Sequence, residues 1–205
     1  MSYVKVWLGG EGPSEIGNRD WPHGQRIGLL EALLLRIEEN GWVVAGATAW
    51  KRIRKYRVGA ARGRENHGDI HNIAGLVNEA FEHACEVVAF SRDVDSEAGR
   101  IEAIARGIAH ARGIFPMVGI IGGPAVPTIE GWILALLNVS DTESMSRGRA
   151  SDELSVRGID GKHAEDYVEV VSKAKLDALP GGCDKLEEWL AAARTILSQS
   201  INGLS

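Results

Sequence analysis

Four short apolar runs divide this chain up to residue 137, and the segments between them carry apolar residues at helical spacing. The runs are residues 3–8, 42–47, 86–91 and 117–121. Residues 26–40 place Ile27, Leu30, Leu33, Leu34 and Ile37 on one helical face, and Gly41 is positioned to end that helix. Residues 69–84 do the same with Ile70, Ile73, Leu76, Val77, Ala80 and Phe81. Ser96 reads as the N-cap of a helix over 97–112, and a further helix is predicted over 127–137. Strand and helix thus alternate, which predicts an α/β fold with a mostly parallel sheet flanked by helices. The run at 86–91 is almost continuously apolar, as a strand covered on both faces should be.

The expected organisation is an α/β domain over 1–137, a flexible connection or lid over 138–161, and a C-terminal helical appendage over 162–205 packed on the same domain. The connection is rich in Ser, Asp, Arg and Gly. The appendage reads as two helices, 164–179 and 184–199, separated by Pro180, Gly181 and Gly182. A length of 205 residues with 44% hydrophobic and 25% charged residues suits one substantial globular unit. Two cysteines, Cys85 and Cys183, give neither a disulfide framework nor a metal-ligand spacing. The histidines are scattered and complete no zinc motif. The most apolar stretch, 113–137, is broken by Pro116, Pro124, Pro127 and Glu130, which argues against a membrane span. The opening residues lack a secretory leader pattern, so a cytoplasmic protein is expected.

The chemistry concentrates where two of the strands end. The first run is followed by Gly10-Glu11-Gly12-Pro13-Ser14-Glu15, and the third by Arg92-Asp93-Val94-Asp95. If those strands are neighbours in a parallel sheet, Glu11, Asp93 and Asp95 meet at one edge, where such folds bind ligands. Three hard oxygen ligands there suit Mg²⁺ or Mn²⁺, the core of a phosphoryl-transfer site. Gly9, Gly10 and Gly12 would permit positive φ and a close approach of backbone to phosphate. The plainer alternative is a tight turn with a solvated Glu11, and a pair of aspartates that cap the next helix. Glu130 is either a carboxylate favoured by a helix N-terminus, worth about 0.3–1 kcal/mol, or a further acidic ligand or water-positioning base. Arg92 either pairs with Asp93 or reaches a substrate phosphate. Trp132 reads as a packing residue.

The net charge of −5 does not suggest a generic polyanion binder, yet the charge is unevenly spread. Lys51, Arg52, Arg54, Lys55, Arg57, Arg62 and Arg64 form a basic stretch that could track a nucleic-acid backbone, with Tyr56 available to stack on a base. A strand edge or loop protected by charge is the alternative.

Glu11 after the first strand and Asp93-x-Asp95 after a later one resemble the Toprim domain of topoisomerases, primases and OLD-family nucleases. More narrowly, Glu11-Gly12-Pro13-Ser14-Glu15 resembles the Glu-Gly-Pro-Thr-Glu opening of a Toprim-like family of largely uncharacterised bacterial proteins, related to OLD-type nucleases and linked to phage defence. Pro127-Thr128-Ile129-Glu130-Gly131-Trp132 is similar to that family's later Ile-Glu-Ala-Trp segment. The resemblance spans roughly residues 3–137. Serine replaces the family's threonine, and Gly131 replaces its alanine. The resemblance implies a Toprim-like sheet, with Glu11 as catalytic acid/base or metal ligand, Asp93 and Asp95 as Mg²⁺ ligands, and Glu130 as an additional acidic site residue. It identifies no catalytic Lys or Arg.

The expected function is Mg²⁺-dependent (or Mn²⁺-dependent) phosphoryl transfer, foremost a nuclease, in a phage-defence setting. Arg92 or the basic stretch would stabilise developing charge. The expected partners are nucleic acid, DNA before RNA, and a partner ATPase or further copies of the chain, with no membrane. The alternatives are a non-catalytic Toprim-like module that binds nucleic acid or a partner, and a small-molecule phosphatase or nucleotide-binding protein.

Overall fold

The computed structural model describes residues 3–18, 26–56, 68–97, 99–160 and 163–203. Its sheet has four strands: β1 (Val4–Gly10), β2 (Trp42–Ala49), β3 (Val87–Asp93) and β4 (Gly119–Ala125). All are parallel, in the order β2-β1-β3-β4. The helices are α1 (Pro13–Ile16), α2 (Leu29–Ile37), α3 (Gly68–Glu82), α4 (Arg100–Ile114), α5 (Ile129–Leu136), α6 (Arg147–Val156), α7 (Ala164–Lys173) and α8 (Asp184–Asn202). The predicted α/β class is therefore observed, in an arrangement consistent with a Toprim-like, Rossmann-type sheet.

Alternation along the strands divides the interior into two layers. Val87 and Ala89 join Val4, Val6 and Leu8 in a core closed by α2, α5, α7 and α8. Val88, Phe90 and Ile120 face the other way, against Ile73, Leu76 and Val77 of α3 and Ile104 of α4. Both faces of β3 are covered, which is why its sequence is almost unbroken apolar. The chain moves from β1 outward to β2, then crosses β1 to reach β3. The direction of winding reverses there, so the crevice at the carboxyl ends of β1 and β3 is a topological switch point.

Several elements differ from expectation. β4 lies two residues later than predicted and contains Gly122, Gly123 and Pro124. It is an edge strand, where proline is tolerated, and Met117 ahead of it is 83% exposed. Helix α4 begins at Arg100 behind a left-handed Gly99, so Ser96 is not its cap. Residues 138–161, expected to be a connection or lid, contain a 3₁₀ turn (Thr142–Ser144) and helix α6, whose Ala150 and Leu154 enter the core. Ser146 caps α6 by accepting from the Arg149 amide. The C-terminal helices supply Tyr167, Val171, Leu186, Trp189 and Leu190 to the core they share with β1 and β3. The Trp189 indole donates to the Phe90 carbonyl at 2.9 Å, and Arg36 of α2 donates to the Ser172 and Ala174 carbonyls at the end of α7.

Gly122 lies against the Phe90 ring: a Cβ there would stand 2.1 Å from Phe90 Cε1. Gly122→Ala should therefore cost about 1–3 kcal/mol, as overpacking of a buried ring does. Urea unfolding should show a lower midpoint with an unchanged slope.

Candidate active site at the β1/β3 switch point

The proline at the start of α1 sets a single helical turn that folds Glu15 back over the end of β1. Glu15 is only 2% exposed, and its Oε2 accepts a 2.6 Å hydrogen bond from the buried Ser91 hydroxyl of β3. Gly10 makes room for it, since a Cβ there would lie 2.8 Å from Glu15 Oε2. Gly9 allows similar crowding against Leu76 and Phe90. Gly9 and Gly10 are therefore used for close packing, a Cβ at Gly12 would meet nothing within 4 Å, and none of the three takes the positive φ that the sequence suggested.

Asp93 is the last residue of β3, and its Oδ1 accepts from the Ile129 amide at 2.9 Å, capping α5 from a different strand. Thr128, in the N-cap position, makes no side-chain cap bond of its own. Glu130 sits in the first turn of the same helix. The Asp93 carboxyl is pushed up to about 7, first by burial, then by the Glu130 and Asp95 charges, against the lowering effect of the Ile129 bond and of Arg147. The Glu15 carboxyl is raised well above its usual range by burial, then by Asp93 and, more weakly, Glu130, while Ser91 opposes the rise. Glu15 and Asp93 are thus poorly solvated carboxyls, and the half-buried Glu130 adds to the repulsion on both.

The other two expected ligands are engaged elsewhere. The Glu11 carboxylate pairs with the Arg92 guanidinium. Asp95, at φ 52°, accepts from Arg100 at 3.2 Å through Oδ2 and from Arg147 at 2.7 Å through Oδ1. Glu11, Asp93 and Asp95 reach the same sheet edge, but as drawn they do not close around one point. Among the described residues no three carboxylate, imidazole or thiol groups stand in a ready-made metal-ligating geometry.

Asp69 organises the cations. It lies in the first turn of α3, is 4% exposed, and accepts from Arg92 Nε at 3.0 Å, Arg100 Nε at 3.2 Å and Trp50 Nε1 at 3.3 Å. Arg92 also lies over the Trp50 ring, 5.1 Å from its centroid. Burial first, and then the Arg100 charge, lowers the Arg92 pKa. Arg100 further donates to the Asp93 and Val94 carbonyls and pairs with Glu97. Asp69, Glu11, Asp95 and Glu97 together balance two guanidinium groups that would otherwise repel.

The basic stretch enters the same region. Lys51 and Arg52 occupy an exposed 3₁₀ turn after β2 and line a groove of about 830 Å³ together with Glu11, Gly12, Pro13 and Thr48. Arg54 and Lys55 are exposed beyond it. Arg57, Arg62 and Arg64 lie outside the described residues. Trp132 is a packing residue, 1% exposed and 5.8 Å from Trp189 between ring centroids. Among the described residues no helix is long and apolar enough to cross a membrane.

Sequence reasoning did not single out Glu15, Asp69, Arg100, Ser91 or Tyr167. The signal for Glu15 was its place one helical turn after Glu11, and for Ser91 a hydroxyl closing an apolar strand. Comparison with protein-family models, curated proteins and solved structures finds no match to this chain.

The cluster implies a pH dependence. Asp93 and Glu15 hold protons more tightly in the folded chain than in the unfolded one. Their contribution favours the fold below their unfolded pKa values and is lost as pH rises, for Asp93 between about 4 and about 7. In EDTA the melting temperature should fall across that window. Mg²⁺ at pH 7.5 should restore it, by about 2–4 °C for each kcal/mol regained. Asp93→Asn should flatten both responses in a thermal melt.

Proposed function

We propose that this chain is a Mg²⁺-dependent phosphoryl-transfer enzyme, foremost a nuclease acting on DNA. The observation that carries the reading is the crowding of Glu15, Asp93 and Glu130 at the switch point: burial first, and then a neighbouring carboxylate, raises the carboxyl pKa of Glu15 (through Asp93) and of Asp93 (through Glu130). Carboxylates crowded in this way repel one another when ionised, and a divalent ion relieves that repulsion. Mg²⁺ fits because it needs only one or two carboxylates and keeps several waters. Asp93 and Glu130 would hold it, with Glu15 beneath them. When bound, the ion would neutralise a scissile phosphate and lower the pKa of a coordinated water.

The chain's own residues supply the remaining functions. Arg92 is fixed through Nε by Asp69, so the rest of its fork can face a phosphate oxygen. In the structure Glu11 pairs with that guanidinium. A phosphate that displaces Glu11 would leave a carboxylate at the sheet edge, able to accept a proton from the attacking water. Lys51 and Arg52, which share the groove with Glu11, would follow the adjoining backbone phosphates. The family resemblance of the Glu11–Glu15, Asp93–Asp95 and Thr128–Trp132 segments supports the same reading, and with it a cytoplasmic role in phage defence beside a partner ATPase.

A second reading draws on one specific observation: Glu11 and Asp95 are both neutralised by the chain's own arginines. A non-catalytic module that binds nucleic acid or a partner would be stable in that form and would not require Mg²⁺.

Cleavage of plasmid, single-stranded DNA and RNA with Mg²⁺, Mn²⁺ or EDTA tests the proposal. Metal-dependent cleavage should fall at least about a hundredfold in Asp93→Asn, the scale for loss of a group that stabilises transition-state charge. Full activity in that variant would overturn the assignment of the site to Asp93, and no cleavage by a folded wild-type chain would favour the binding module.

A further inference from the structure

Two hydroxyl groups sealed in the interior have no hydrogen-bond partner among the described residues: Tyr167 Oη and Thr128 Oγ1. Both residues are 0% exposed. A buried hydroxyl without a partner is costly, and native structures seldom keep one unless water or a ligand satisfies it. Tyr167 belongs to α7, which packs on α1, the carrier of Glu15, and on α5, the carrier of Glu130. Its hydroxyl lies within the field of Glu130, Glu15 and Asp93, which with burial disfavour its ionisation. Thr128 directly precedes Ile129, whose amide holds Asp93. One orphaned hydroxyl thus lies in the field of the carboxylates, and the other belongs to the residue beside the amide that holds Asp93.

We propose that Tyr167 and Thr128 are positioning residues of the carboxylate site, and that their hydroxyls hold waters of a hydrated divalent cation bound by Asp93 and Glu130. The inference rests on the metal reading above and extends it to the C-terminal helices. The chemistry suits a cation that keeps part of its water shell, as Mg²⁺ does. Carboxylate oxygens take direct contacts with the ion, and neutral hydroxyls accept from or donate to its waters. An outer partner of this kind commonly changes metal affinity about 10- to 100-fold when removed.

The test compares the full chain with Tyr167→Phe, Thr128→Val and Asp93→Asn. Thermal melts in EDTA report the fold, and Mn²⁺ binding, followed by calorimetry or by the spin resonance of free Mn²⁺, reports the site. Removing an unpartnered hydroxyl should leave the melting temperature in EDTA unchanged or higher. Tyr167→Phe should nevertheless bind Mn²⁺ about tenfold more weakly or worse. Thr128→Val should move the same way, and Asp93→Asn should abolish binding. A large fall in the melting temperature of both hydroxyl variants in EDTA would mean that the hydroxyls are structural, and would overturn the inference. Wild-type affinity in both would overturn it while the carboxylate site stood. Absence of Mn²⁺ binding by the wild-type chain would remove the metal reading and this inference together.

Discussion

Repulsion among carboxylates held away from water is the constraint around which this fold is arranged. Water would ordinarily absorb the charge of Glu15 and Asp93, and burial beside the sheet largely excludes it, while Glu130 adds its charge from the first turn of α5. The protein offers only partial relief: one hydroxyl from Ser91, one amide from Ile129, and the positive end of α5. Each is worth about 1 kcal/mol or a little more, too little to restore ordinary acidity to two buried carboxyls.

The cationic half of the site is held differently. Arg92 and Arg100 reach the crevice from β3 and α4 and are clamped by Asp69 of α3, with Trp50 completing the carboxylate's contacts. A guanidinium fixed through Nε loses little further freedom when its remaining N–H groups meet an oxyanion. The clamp spans three elements, so the spacing between arginine and carboxylate depends on the packing of α3 and α4 against the same face of the sheet.

Much of this was legible in the sequence, for physical reasons. The strands are apolar because they are covered, and the helices between them keep one apolar stripe, so the α/β class followed from periodicity; that β1 and β3 are neighbours was a condition of the reading, which the strand order meets. Asp93 was legible because a carboxylate ending an apolar strand is rarely placed there by packing. The contacts that decide partners were hidden. Glu11 turns to Arg92, eighty-one residues further on, and no local pattern announces that pairing. Asp95 is taken by Arg147 from α6, a helix whose mostly exposed face gave it a loop-like composition. Tyr167 stands in an ordinary amphipathic helix, and only the packing of α7 on α1 and α5 gives its hydroxyl significance.

The tie between α2 and α7 bears on how the molecule is made. Leu29, Leu30, Leu33 and Leu34 of α2 emerge early in synthesis, yet the surface that buries them includes Tyr167, Val171, Leu190 and Ala193. Parallel pairing of β1 with β3 also joins residues about eighty positions apart. Such long-range closure slows folding and leaves apolar surface open in the meantime. A nascent chain halted before α7 would carry the carboxylates on an unfinished core, so their surroundings are complete only after the last helices have docked.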